Sequence, residues 1–311
     1  MVLGALHRLG APAEAFERHL ALWRPRLAEE HATDAAEGDP AMPPQLRQPY
    51  VEWLRHLEHA AAGIDEEALL LTHLPALLAA PESAAFHGAI RLAYACDSGH
   101  RGEFVHALAA WCASFRSLGE MPDDTGAAPA PHANLHAALA AVRADPAMAM
   151  TLRHGTTIIS DMQVAIDRPA FIRHFARARP TLDELAEASL AVYLATRDFT
   201  ALHLVTGTHA VRVLLERSKL DGALRDDALH RLWRAWLAAY VSIGSPAPAW
   251  SAVHEGNAEE SDWNAALPAL HASTNDHSIK LADSAREEWR HRGWPGYARC
   301  LPATARPAAR A

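Results

Sequence analysis

Lysine is almost absent from this chain of 311 residues. Of its 29 lysine and arginine residues, only Lys219 and Lys280 are lysines. Together with the many alanines, this bias is typical of a genome that avoids lysine codons. A lysine can lose its charge when buried, whereas arginine stays charged. A retained lysine therefore indicates a position that arginine cannot fill, and Lys280 follows His277 by three residues, so on a helix the two share a face.

Other shortages exclude whole classes of protein. The three cysteines form no CxxC pair, which is typical of a reducing cytoplasm. The net charge of -8 argues against a nucleic-acid partner, because phosphate contacts need a basic patch. No uncharged apolar run reaches the roughly 18 residues of a membrane span, and MVLGALHRLG is too short for a signal peptide. We expect a soluble, cytoplasmic protein with no nucleic-acid or membrane partner.

The motifs of common cofactor and hydrolase sites are also missing. The chain has no GxGxxG, no Walker lysine motif, no GxSxG and no His-Asp dipeptide. His254 and Glu255 are followed by Gly-Asn-Ala, so they form no HExxH zinc helix. Histidine, by contrast, occurs 20 times. If the protein is an enzyme, a metal is the expected source of its reactivity.

Two ExxH spacings, Glu103 to His106 and Glu288 to His291, supply half the ligand set of a di-iron carboxylate bundle. With so many histidines, about one such pair arises by chance. His291 also lies close to Gly293, at a helix end rather than in a bundle core. We therefore do not favour a di-iron site.

Helical periodicity dominates the remaining pattern and predicts an all-α, multi-helix bundle. TTIIS, residues 156–160, is the best strand-like stretch and is short. Residues 1–299 are expected to form one compact domain or two closely packed helical lobes, with a possible lobe boundary in the loop 120–131. The composition of residues 31–46 predicts another loop, and that of residues 300–311 predicts a disordered tail.

Three helical stretches carry candidate functional residues. SAAFHGAIRLAYACDSG, residues 83–99, places His87 and Arg91 one turn apart. DFTALHLVTGTHAVRVLLE, residues 198–216, is apolar on nearly all sides and should be central, with His203 at its middle. Its internal Gly207 costs about 1 kcal/mol relative to alanine, which often signals close packing or space for a ligand.

The third stretch is NDHSIKLADSAREEW, residues 275–289, in which Asn275 or Asp276 can cap the helix. Taken singly, each stretch has an ordinary explanation. His87 could bond a carbonyl at the core boundary, His203 could be a satisfied buried histidine, and Lys280 could be solvated. These alternatives stay open on the residues alone.

Together, the segments FHGAIRLAYA, LHLVTGTHAVR and NDHSIKLADSAREE resemble the blocks HGxIR, HxVT and DxHxIK of the questin oxidase-like proteins. Their order and separation also fit, and the resemblance covers most of the chain. It implies that His87, His203 and His277 are ligands of a non-heme iron and that Lys280 matches the family lysine. Members of the family include fungal enzymes that oxidise or cleave anthraquinone rings.

The resemblance breaks down at the N-terminus. A fourth histidine of the family lies in a block of the form NHxPM, and this chain begins at the methionine of that block. His7 comes two turns too late to replace it. We expect either a start codon upstream or the loss of one ligand, and full metal occupancy depends on which is true.

The implied site would join three imidazoles with Lys280. Imidazoles suit iron, zinc or copper. A lysine ammonium has no lone pair, so Lys280 could bind metal only as a neutral amine or, after reaction with CO2, as a carbamate. Histidines with one carboxylate resemble oxygen-activating Fe(II) sites. His277 and Lys280 are the catalytic candidates.

Three further residues are candidates for orienting these groups: Arg91, Thr206 and Asp276. For each of them, an ordinary salt bridge, helix back-bond or cap is the simpler interpretation.

Three functions follow as hypotheses. The first is O2-dependent oxidation or ring cleavage of an aromatic or quinone-like small molecule by an Fe(II) enzyme. The second is a Baeyer–Villiger-type oxidation supported by NADPH, although no nucleotide motif is present. The third is a helical binding protein with a vestigial metal site. Stoichiometric iron in the purified protein separates the third from the others.

Overall fold

The structure, a computed structural model, describes residues 1–30, 49–121, 131–151 and 156–302. Every regular element in these ranges is helical, which confirms the all-α prediction. The strand-like TTIIS instead opens a helix, because Thr157 and Ser160 form a capping box at its start. Within the described ranges, no helix is both long and apolar enough to cross a membrane.

Contacts divide the chain into two units. The larger unit is Glu37–Pro248, and the smaller unit joins the two ends of the chain, Met1–Ala36 and Ala249–Ala311. The sequence does not predict that the ends combine. Met121 and Pro131, which flank the predicted lobe boundary, both belong to the larger unit, and residues 122–130 lie outside the described ones.

The larger unit contains ten α-helices among its described residues. They are α3 (Tyr50–Ala61), α4 (Glu66–Leu77), α5 (His87–Ser98), α6 (Arg101–Ala113), α7 (Leu135–Ala144), α8 (Ile158–Ile166), α9 (Phe171–Ala176), α10 (Leu182–Thr196), α11 (Phe199–Ser218) and α12 (Gly222–Ser242). A short 3-10 helix, Pro146–Met148, follows α7.

Helix α11 is the core of the larger unit, as its apolar pattern predicts. It packs against α4, α5, α10 and α12 and is buried along almost its whole length. The carboxylate of Asp198 caps its first turn by accepting from the backbone N–H groups of Thr200 and Ala201. Trp233, Trp236 and Tyr240 stack along α12 and are fully buried.

The smaller unit contains α1 (Val2–Arg8), α2 (Ala13–Glu30), α13 (Ser251–His254), α14 (Glu260–Ala272) and α15 (Asp276–Arg292), followed by a 3-10 helix, Pro295–Cys300. Helix α15 packs against α1 and the 3-10 helix. An ion pair joins Arg8 of α1 to Asp283 of α15, with Nε 3.1 Å from Oδ2. This contact ties the N-terminal helix to a segment near the other end of the chain.

The predicted tail needs a correction at its start. Cys300 ends the 3-10 helix, and it and Leu301 are buried in the smaller unit, because apolar side chains gain stability when they leave water. Residues 303–311 lie outside the described ones, as do residues 31–46 of the other predicted loop.

Candidate metal site

His87 is the first residue of α5, and an unusual backbone precedes it. Ala84, Ala85 and Phe86 have φ angles of 50°, 56° and 67°, in the left-handed region. For a residue other than glycine, this backbone conformation costs of the order of 1–3 kcal/mol. It persists only when the surrounding structure holds it in place. The turn brings the Ala84 carbonyl within 2.7 Å of His87 Nδ1, which donates to it. The neutral ring therefore keeps its lone pair on Nε2.

Close packing between α5 and α11 holds this turn. A Cβ added at Gly207 of α11 would lie 2.8 Å from Cγ of Phe86. Only glycine allows the Phe86 ring to approach so closely, which explains the internal glycine. Phe86 is the N-cap of α5, so the same contact positions His87, the residue that follows it.

His203 lies one turn before Gly207, on the same face of α11, and is 1% exposed. Its Nδ1 donates to the carbonyl of Phe199 at 2.8 Å, which again leaves the lone pair on Nε2. The ring centroids of His87 and His203 are 4.9 Å apart. The larger unit therefore brings together two histidines, in the same tautomer, at a separation suited to sharing a metal ion.

In the smaller unit, His277 lies in the first turn of α15. Asn275 caps this helix, since its side chain accepts from the backbone N–H groups of His277 and Ser278 at 3.1 Å each. Nδ1 of His277 is 3.0 Å from Oδ1 of Asp276. A carboxylate at Nδ1 fixes the tautomer and the orientation of the ring, as is usual for metal-binding histidines.

Lys280 shares the carboxylate of Asp276 with His277 and is not a solvated lysine. It is 3% exposed, and its Nζ lies 3.3 Å from Oδ2 of Asp276. Burial lowers the pKa of Lys280, and the Asp276 carboxylate opposes part of that change. Burial also favours the neutral form of Asp276, but the hydrogen bond with His277 and the charge of Lys280 outweigh it and hold the pKa of Asp276 well below its usual range.

A cavity of about 410 Å³ in the larger unit adjoins His87 and His203. Most of its other lining is apolar, and the left-handed turn forms one wall. Its lining residues besides the two histidines are Ala84, Ala85, Ser114, Arg116, Thr157, Ile158, Ile159 and Phe199. The volume and the apolar walls suit a small aromatic ligand.

A family model described as Questin oxidase-like matches residues 2–284 of the chain. The chain belongs to the questin oxidase-like family. The match includes His87, His203, His277 and Lys280, and it confirms the resemblance that the three sequence blocks suggested. No curated protein matches this chain.

The contacts of Arg91, Thr206 and Asp276 show which of them can orient a predicted metal ligand. Arg91 forms an ion pair with Glu103 of α6, with Nε 3.0 Å from Oε1. Thr206 donates its hydroxyl proton to the carbonyl of Leu202 at 3.2 Å. Both follow the simpler interpretation, and of the three candidates only Asp276 contacts a predicted ligand.

Three of the four residues in the two ExxH spacings have other partners, and the fourth, His291, is exposed. Glu103 pairs with Arg91, and His106 Nδ1 hydrogen-bonds the Tyr50 hydroxyl. Glu288 forms a buried ion pair with Arg292, with 2.8 Å between Oε2 and Nε. These partners explain the spacings without a di-iron site. His7, on α1, is exposed.

Sequence reasoning missed two features of the site. The left-handed turn at 84–86 carries no sequence signal, because alanine and phenylalanine rarely adopt that conformation. Arg116 lines the cavity but lies beyond the end of α6, outside any periodic pattern. Only the folded arrangement identifies either one.

Proposed function

We propose that this protein is an Fe(II)-dependent oxidoreductase that uses O2 to oxidise or cleave an aromatic or quinone-like small molecule. In this proposal His87, His203 and His277 bind the metal. The blocks that resemble HGxIR, HxVT and DxHxIK supply this set of ligands, and all three lie within the residues that the family model matches. Membership of a family named for an oxidase supports the reaction class.

One observation carries the proposal. His87 and His203 each donate Nδ1–H to a backbone carbonyl, so both neutral rings keep an Nε2 lone pair, and their centroids are 4.9 Å apart. Either feature alone also occurs in structural histidines, since a carbonyl bond satisfies a buried ring and edge-to-face rings attract each other. The combination of the two is what favours a metal. Metal-binding histidines need both, because the bond at Nδ1 fixes the ring orientation and the free lone pair binds the ion.

When bound, an Fe(II) ion with histidine ligands and open coordination positions would supply the activation of O2. The residues of the chain would do the rest. Asp276 would hold His277 in the tautomer that presents Nε2. The apolar side chains of the cavity beside His87 and His203 would pack against the aromatic ring.

Lys280 has two possible forms in this proposal. Its pairing with Asp276 supports the ammonium form, in which it would keep Asp276 ionised and so orient His277. A carbamate would add a second negative charge next to that carboxylate, which is unfavourable in a buried place. Carbon-13 NMR of protein equilibrated with labelled CO2 tests this, since a carbamate resonance lost in Lys280→Met would establish the modified form.

Oxygen uptake tests the function directly. Protein loaded with Fe(II) under anaerobic conditions is mixed with a hydroxylated anthraquinone and O2, with and without NADPH. We expect uptake without NADPH that is lost in His203→Ala and retained in His209→Gln, a buried histidine of the same helix. Uptake that requires NADPH would favour the Baeyer–Villiger alternative, and no uptake with any reductant would favour a binding protein.

A further inference from the structure

We propose that the cavity of the larger unit selects aromatic carboxylates, and that Arg116 binds the carboxylate group of the ligand. This inference deepens the proposed function, since it names the substrate class of the cavity next to His87 and His203. It rests on the proposed function in one respect, namely that this cavity is the place where the substrate binds. The binding itself can be measured without any turnover.

The charges around the cavity point to an anionic ligand. Among its described lining residues, Arg116 is the one arginine or lysine, and no aspartate or glutamate is present. The two hydroxyl side chains are used within the protein. Ser114 donates to the carbonyl of Ala110 at 2.7 Å, and Thr157 caps α8. An anion entering the cavity would meet one positive charge and no repelling carboxylate.

The backbone holds Arg116 in a fixed position relative to His87. Its N–H donates to the Ser83 hydroxyl at 3.0 Å, and that hydroxyl in turn donates to the Ala80 carbonyl at 2.8 Å. Ser83 is fully buried and directly precedes the left-handed turn that ends at Phe86. The residue that carries the guanidinium is therefore tied to the segment that positions His87.

The guanidinium of Arg116 is available for a ligand. The side chain is exposed, and among the described residues no carboxylate pairs with it. Other arginines of the larger unit differ, such as Arg91 and Arg217, which form ion pairs with Glu103 and Asp97. An unpaired arginine at the edge of an apolar cavity is what recognition of an anion requires.

Carboxylate is the anion that best fits this position. A planar guanidinium presents parallel N–H donors that match the two oxygens of a carboxylate. A simple phenol keeps its proton near neutral pH, as tyrosine does, so it would not offer the charge. The walls formed by Ala85, Ile158, Ile159 and Phe199 suit a flat ring. A ligand with both features is an aromatic carboxylic acid.

Calorimetric titration of the protein with two probes tests the inference. The probes are 2-naphthoate and the neutral 2-naphthalenemethanol, which share one ring system. We expect the wild-type protein to bind the carboxylate about tenfold more tightly, since a hydrogen-bonded charge contributes on this scale. Arg116→Met should bind both probes equally, and Arg116→Lys should keep part of the preference. The control is Arg55→Met, which replaces an exposed arginine of α3 outside the cavity and should keep all of it.

The same titrations are repeated on chelator-treated protein, because a metal ion also binds carboxylates. A preference that survives metal removal and disappears in Arg116→Met supports the inference. It is overturned if Arg116→Met keeps the preference, or if metal removal abolishes it in the wild-type protein. A failure of the oxygen-uptake experiment would leave these affinities unchanged, so the two proposals fail separately.

Discussion

At the scale of single residues, the buried pair of Lys280 and Asp276 explains why this chain keeps a lysine at position 280. Asp276 contacts both His277 and Lys280 through its two oxygens. Arginine has a larger, planar head group that keeps its charge when buried, so it is a poor replacement for a buried lysine. Of the two lysines that the sequence keeps, Lys280 is buried and Lys219 is exposed, so scarcity alone does not identify the buried one.

A double-mutant cycle tests the pair. Asp276→Asn leaves the ammonium of Lys280 buried without a charged partner, so we expect a loss of about 1–3 kcal/mol in the free energy of unfolding. Urea denaturation measures it. Adding Lys280→Met should recover part of the loss, because the orphaned charge is then removed. Losses that simply add in the double variant would show that the two side chains do not interact.

Glu82 is a second buried carboxyl that the sequence does not reveal. Its Oε1 accepts from the backbone N–H of Leu118 at 3.0 Å, which joins the segment before His87 to the one after Arg116. Burial raises the pKa of Glu82 from 4.5 to about 7, against the smaller opposing effects of this hydrogen bond and of Arg234. The folded chain therefore holds a proton that the unfolded chain releases.

This difference fixes the sign of a pH effect. Between pH 4.5 and about 7 the unfolded chain loses the proton first, so the Glu82 contribution to stability falls as pH rises through this window. Glu82→Gln removes the effect. The melting temperature of this variant relative to wild type should therefore increase from pH 5 to pH 8. The corresponding change in the relative free energy of unfolding is up to about 3 kcal/mol. Parallel curves for the two proteins would contradict the assigned pKa.

At the scale of elements, the entry into α5 is the strained part of the larger unit. Ala84 is exposed and has a φ of 50°. Ala84→Gly should stabilise the protein by about 0.5 kcal/mol, because glycine adopts this region without steric conflict. The control is Ala140→Gly, at an exposed position within α7, which should destabilise by about 1 kcal/mol. Chemical denaturation measures both, and the same sign for both would argue against a strained turn.

The contact between α11 and the turn gives another prediction. Gly207→Ala should destabilise by about 1–3 kcal/mol, although alanine favours helices, because its Cβ would overlap the Phe86 ring. Displacement of Phe86 should also weaken metal binding at His87. Gly222→Ala in α12, where a Cβ meets nothing within 4 Å, is the matched control. Thermal melts and metal titrations report the two effects, and an unchanged metal affinity in Gly207→Ala would exclude the positioning role.

At the scale of the whole molecule, the sequence predicts what depends on local pattern. Apolar spacing predicts the helices that carry His87, His203 and His277, and the central burial of α11 follows from its uniform apolar character. The partner of Arg91 depends instead on the packing of α5 against α6, which brings Glu103 alongside. The division into units depends on long-range contacts such as that between Arg8 and Asp283. Neither leaves a periodic trace in the sequence.

The candidate site divides in the same way. Its histidines are predictable because three short blocks match a family pattern in order. The carbonyls that set the tautomers of His87 and His203, and the arginine at the cavity edge, come from backbone geometry and from the approach of distant segments. These features decide how the histidines can act, and they need the folded chain.

Metal stoichiometry tests the central claim most directly. The protein is loaded with Fe(II) under anaerobic conditions, desalted and analysed for iron by mass spectrometry, with circular dichroism to verify folding. We predict one equivalent per chain for wild type and for His209→Gln, and almost none for His87→Ala, His203→Ala and His277→Ala. Wild-type protein without bound iron, or any of the three alanine variants with full occupancy, would contradict the account.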